Sequence, residues 1–150
     1  MDGDAWFFED FEPGQRWTTQ YRTITESDLV AFAGWSWDTN PVHTDAVASA
    51  EGRFGERIAH GLLGMSVAMG LVSRLGVFER CSVALLGADE WRFVAPIRIA
   101  DSVKCELEIV ETRLTSRGDA GVLVRRLVLS NQEDVVVQQG FINLLASLRP

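Results

Sequence analysis

Histidine, cysteine and lysine are all scarce in this chain: two, two and one among 150 residues. The two histidines, His43 and His60, are joined by no Cys/His cluster at ligand spacing, so no metal site is expected. Cys81 and Cys105 stand far apart without a Cys-x-x-Cys pair, which argues against a disulfide framework. No apolar run reaches membrane-spanning length. The start, Met1-Asp2-Gly3-Asp4, is acidic and does not resemble a signal peptide. A reducing cytoplasm is the compartment these absences suggest. Positive charge is also in short supply. The net charge is −7, without the basic stripe that a nucleic-acid binder carries. Of the 14 basic residues 13 are arginine, with Lys104 the single lysine. Arginine suits bidentate recognition of phosphate, so a local cluster could still meet an anionic ligand.

What is present fits a globular protein. Hydrophobic residues make up 47% of the chain and charged residues 23%, too apolar for disorder. The length is that of one domain, residues 1–150, with no internal repeat or linker, and it suffices for a sizeable core. An aromatic, acidic stretch from Trp6 to Phe11 ends in the turn Glu12-Pro13-Gly14-Gln15. The run from Trp17 to Ile24 is rich in β-formers and predicts a first strand. Thr25-Glu26-Ser27-Asp28 is a capping box with aspartate in the usual glutamate place, opening a helix that ends near Gly34. Thr44 can cap a short helix through Ala50.

The longest helical pattern runs from about Ala59 to Leu75, with Gly76 as its stop. It is apolar around most of its circumference and should be buried on nearly all sides. Gly61, Gly64 and Gly70 each cost about 1 kcal/mol against alanine, so something is expected to approach that backbone closely. From Ser82 onward the pattern is of strands: 82–86, 90–94, 102–112, 121–130 and 135–146, separated by turns. One early strand, a buried helix and a strand meander make the fold class α+β.

Two sites could carry chemistry. In Asp38-Thr39-Asn40-Pro41-Val42-His43, Pro41 fixes its own φ and pushes Asn40 out of the helical region. The segment should therefore be bent and extended. It can aim a carboxylate and an imidazole at one water and exchange protons with it near neutral pH. Read alone, it is also an Asx-turn in which Asp38 caps backbone N–H groups. The second site is Ala59-His60-Gly61 at the mouth of the long helix. The first N–H groups there lack intrahelical partners and could stabilise an oxygen gaining negative charge. Glycine at 61 leaves room for a ligand carbonyl, although close helix–sheet packing explains it too. An acid/base pair with an electrophilic anchor suits addition of water to a double bond conjugated to a carbonyl, or its reversal.

Asp-x-Asn-Pro-x-His at 38–43, followed by His-Gly at 60–61, resembles the MaoC-like dehydratase family, which includes the (R)-specific enoyl-CoA hydratases. The likeness extends to Phe93-x-x-Pro96-x-x-x-x-Asp101 and to the Asn131-Gln132 turn, covering about residues 15 to 146. It implies a hot-dog fold, a curved antiparallel sheet around one central helix, paired as a homodimer. It further implies that Asp38 and His43 activate water for attack on a trans-2-enoyl thioester. The Gly61 N–H would bind the thioester carbonyl, giving an (R)-3-hydroxyacyl thioester. No cofactor is implied beyond coenzyme A as part of the substrate, and an acyl-carrier thioester is the other possible substrate. The partners implied include no nucleic acid and no membrane.

Some family members carry serine where this chain has Met69, glycine where it has Ala100, and a proline just before Ala59-His60. Those departures bear on substrate size rather than on proton transfer. Trp35 and Trp37 could wall an acyl pocket or lie in a core or interface; Arg53 and Arg57 could meet coenzyme A phosphates or simply face solvent. His60 is read as orienting its helix. Two alternatives accompany the hydratase. One is a non-catalytic or partner-dependent acyl-binding subunit of a heteromeric dehydratase. The other is a hot-dog acyl-CoA thioesterase, which would place an acid on or near the central helix, where the run 59–75 has none.

Overall fold

A computed structural model describes residues 5–150; the acidic start at 1–4, read above for a signal peptide, lies outside the described residues. Helix α1 spans Glu26–Ser36 and opens with the expected reciprocal cap. The Asp28 N–H donates to Thr25 Oγ1 at 3.3 Å, and the Thr25 N–H donates to Asp28 Oδ2 at 2.8 Å. It runs two residues past Gly34 and stops at Trp37, whose φ of 63° turns the chain out of the helix. Two short helices follow, α2 (Pro41–Thr44) and α3 (Ala46–Ala50). Asp45, not Thr44, caps α3, accepting from the N–H groups of Val47 and Ala48. The long helix α4 covers Gly61–Ser73, shorter at both ends than the apolar pattern. Its start is set by Ala59, whose N–H donates at 2.8 Å to the Ile97 carbonyl, outside any helix.

The strands are β1 (Arg16–Thr18), β2 (Arg22–Thr23), β3 (Ser82–Phe93), β4 (Ser102–Leu114), β5 (Ala120–Ser130) and β6 (Val136–Ser147). They pair antiparallel in the order β1-β4-β5-β6-β3, with β2 also on β4. The expected first strand, 17–24, is thus two pieces. The break lies at Thr19, whose hydroxyl takes the Cys105 N–H at 2.9 Å in place of a backbone carbonyl. The expected strands at 82–86 and 90–94 are one. Gly87, Ala88 and Asp89, read as a turn, stay in the ladder opposite Asn143, Ile142 and Phe141. Register shifts and Glu90 at φ 51° absorb the bend there.

Leu63, Val67, Leu71 and Val72 of α4 join Leu107, Ile109, Leu127 and Leu129 of the sheet in one buried cluster. At about 25 cal/mol per Å² of apolar surface, that burial is the main force seating the helix. The wrapping is incomplete, because Leu62, Ser66 and Gly70 form an open stripe at helical spacing. The curved antiparallel sheet with a helix against it is the hot-dog fold that the resemblance implied.

Two details concern charge and strain. Arg125 is 1% exposed; its Nε donates to the Ile142 carbonyl, its guanidinium lies 4.9 Å from the Phe78 ring centre, and its Nη2 has no partner. Burial pulls it down to about 10. A base lowered on folding subtracts stability at neutral pH, and that cost is relieved only as pH rises through about 10. Ala100 adopts φ 75°, the left-handed region that favours glycine. Alanine there carries roughly 1 kcal/mol of backbone strain.

Candidate active site

The bent segment is built by local bonds. Asp38 Oδ1 accepts the Asn40 N–H at 3.3 Å, and Asn40 Oδ1 accepts the Val42 N–H at 3.2 Å, so Asn40 caps α2 with Pro41 at the first helical position. The Asx-turn is therefore real and coexists with any chemistry. The segment is less extended than expected: His43 rides on the single turn of α2, while Asp38 precedes it. Ile58 clamps α2 from across the site. Its N–H donates to the Val42 carbonyl at 3.1 Å, and its carbonyl lies 2.7 Å from His43 Nδ1. A carbonyl only accepts, so Nδ1 carries a proton, and in the neutral tautomer that this selects the lone pair is on Nε2.

His60 does more than start a helix. Its side chain makes no cap bond; instead Nε2 donates to the Asp38 carbonyl at 2.9 Å. Its ring stacks on His43 with centres 3.8 Å apart and meets the Phe32 ring at 4.9 Å. One buried residue thus touches both members of the pair. Sequence reasoning missed this, and the repeated His in the two motifs was the signal for it.

Asp38, His43, His60 and Gly61 all line one open cleft of about 700 Å³. Side-chain donor atoms of Asp38, His43 and His60 lie within 4.8 Å of one another, the only such group among the described residues. They are a poor metal set. His60 Nε2 is already spent on a carbonyl, and its unpartnered Nδ1 is sealed from solvent. The α-helical ladder starts with the Gly64 N–H to the His60 carbonyl at 3.2 Å, leaving the N–H groups of residues 61–63 outside it. A Cβ on Gly61 would come within 2.8 Å of the Phe93 ring, so the glycine admits this ring beside the helix mouth.

The remaining candidates divide. Arg53 lines the cleft, whereas Arg57 forms a two-pronged ion pair with Glu26 at 2.6 and 2.8 Å. Trp35 and Trp37 are 83% and 87% exposed and form no part of the cleft wall. Met69 packs on the core rather than in the cleft. Ser66 bonds the Leu62 carbonyl and lines a separate cavity of about 460 Å³. Asp101 ties the loop before β4 together, accepting from the Arg98 N–H and the Gln132 amide at 2.8 and 3.0 Å. That gives the distant Asp101 and Gln132 a structural role.

Comparison with known proteins identifies the family. The family model described as MaoC like domain matches residues 10–131. The (R)-specific enoyl-CoA hydratase of Rhodospirillum rubrum is 36% identical over 104 residues, 69% of each chain. Protein MaoC of Klebsiella aerogenes is 40% identical over 101 residues, 67% of this chain; the match spans only 30% of that longer protein. Among solved structures, a monoamine oxidase regulatory protein from Archaeoglobus fulgius superposes with a TM-score of 0.92 at 28% identity, over 100% of this chain and 99% of that one. A family match across most of the length, with the motif pair of the cleft inside it, makes this chain a member of the MaoC-like dehydratase family of hydratases and dehydratases.

Proposed function

We propose that the chain is a single-domain hydratase/dehydratase that adds water to a trans-2-enoyl thioester of coenzyme A, or removes it from the product. The observation that carries this reading is the shared cleft: Asp38, His43 and Gly61 line one space of a size suited to a small-molecule ligand. Asp38 and His43 hold the water. As its oxygen bonds to the β-carbon, the pair takes its proton, and the double-bond electrons move onto the thioester oxygen. The Gly61 N–H at the mouth of α4 stabilises that enolate. The pair then delivers the proton to the α-carbon, the carbonyl re-forms, and the sum is one water added. The R series for the product follows from likeness to the Rhodospirillum hydratase. The steps call on no cofactor, coenzyme A being part of the substrate.

We also propose a homodimer. β3 ends the sheet, and its Val83, Leu85 and Leu86 are more than half exposed, an apolar edge open to a second copy. No helix among the described residues is long and apolar enough to cross a membrane.

Purified protein given trans-2-butenoyl-CoA is expected to remove the enoyl-thioester absorbance without releasing free thiol, and to run at twice 16.6 kDa in light scattering. Thiol release would indicate the thioesterase. Binding without turnover would indicate a partner-dependent subunit.

A further inference from the structure

A polar residue sits where the sheet meets the mouth of α4. Gln138 on β6 is 2% exposed, and both ends of its amide are engaged. Its Nε2 donates to the Gly61 carbonyl at 2.9 Å, and its Oε1 accepts from Trp91 Nε1 at 3.2 Å. The amide can sit only one way round, because an indole N–H only donates and a carbonyl only accepts. Two glycines make room for this chain of bonds. A Cβ on Gly64 would overlap the Gln138 amide nitrogen, and one on Gly140 would come within 2.7 Å of the Trp91 backbone.

We infer that Gln138, oriented by Trp91, is a positioning residue for the carbonyl site at the mouth of α4. The inference rests on the proposed role of the Gly61 N–H as the donor to the thioester oxygen. Gly61 has the widest backbone freedom of any residue type and stands at the frayed first turn of a helix. The orientation of the two peptides that flank it is the weak point of an anchor whose worth depends on preorganisation. Gln138 pins the carbonyl of that same residue to the sheet, which fixes ψ of Gly61 and the plane of the Gly61–Leu62 peptide, whose Leu62 N–H is the next donor outside the helical ladder. The donated bond also polarises the peptide joining Gly61 to Leu62, and the indole polarises the glutamine in turn. Trp91 lies on β3, so the chain of bonds links the exposed strand at the sheet edge to the carbonyl site.

The test uses Gln138→Leu, Trp91→Phe and the double variant of the full chain, with Trp91→Phe keeping an aromatic ring in place. Gln138→Leu should lower kcat about 10- to 100-fold with little change in KM, the scale of a misplaced catalytic geometry. Trp91→Phe should lower it about fivefold, the worth of one hydrogen bond. The double variant should be no worse than Gln138→Leu, because the indole acts only through the glutamine. Independently of turnover, both single variants should move the Leu62 amide proton upfield in the NMR spectrum of labelled protein. An unchanged kcat in Gln138→Leu, additive losses, or an unmoved Leu62 amide in Trp91→Phe would overturn the inference. A wild-type protein inactive on enoyl thioesters would sink the hydration reading instead, and the amide shifts would then decide the positioning role alone.

Discussion

Replacing Asp38 by asparagine is expected to lower kcat for hydration of trans-2-butenoyl-CoA by about a thousandfold, within the range assigned to a positioned acid or base. The substitution is a clean one. Asparagine keeps an oxygen that can accept the Asn40 N–H, so the bond that shapes the loop survives while the charge is lost. His43→Ala should cost a similar factor, though it also removes the bond to the Ile58 carbonyl and the stack on His60. The two losses should not multiply in the double variant, because the residues serve one water and each is idle without the other. Steady-state kinetics decide this. Near-wild-type turnover in Asp38→Asn would remove the carboxylate from the reaction and leave it the structural Asx-turn role alone.

The second large effect is one of packing, and it sets two glycines of one helix against each other. Gly64→Val should destabilise the protein by about 3 kcal/mol. The new Cβ would strike both Ile97 and the buried Gln138 amide, adding overpacking to the loss of buried hydrogen bonds. Gly70→Ala should instead stabilise it, by up to about 1 kcal/mol. Nothing lies within 4 Å of a Cβ built there, and the gain in helix propensity is unopposed. Urea denaturation of the two variants gives both signs in one experiment. A stable Gly64→Val would show that Gln138 does not occupy the place described here.

Much of this was legible from residue order because the signals were local. The Thr25–Asp28 cap, the apolar face of α4 and the strands from Ser102 onward are written in side chains a few positions apart. The motif residues Asp38, His43 and Gly61 were legible as types and spacings, and the fold sets them in one cleft. What escaped was set by partners far along the chain. The break in the first strand depends on Thr19 meeting Cys105, and the continuity of β3 depends on β6 accepting its bulges. His60 looked like a helix-starting residue because its bond to Asp38 spans 22 positions. Gln138 did leave a trace, a polar residue at an inward position of an apolar strand. Gly64 left the matching one, a costly glycine in a buried helix turn, but nothing in the order of residues paired them.

The most direct measurement is a crystal structure with butyryl-CoA, which has the thioester but no double bond to hydrate. Its carbonyl oxygen should lie about 3 Å from the Gly61 nitrogen, the distance an oxyanion donor requires. A single ordered water should touch both the carboxylate of residue 38 and Nε2 of residue 43, within reach of the β-carbon. A thioester seated away from the mouth of α4, or a β-carbon that no such water can approach, would contradict the account.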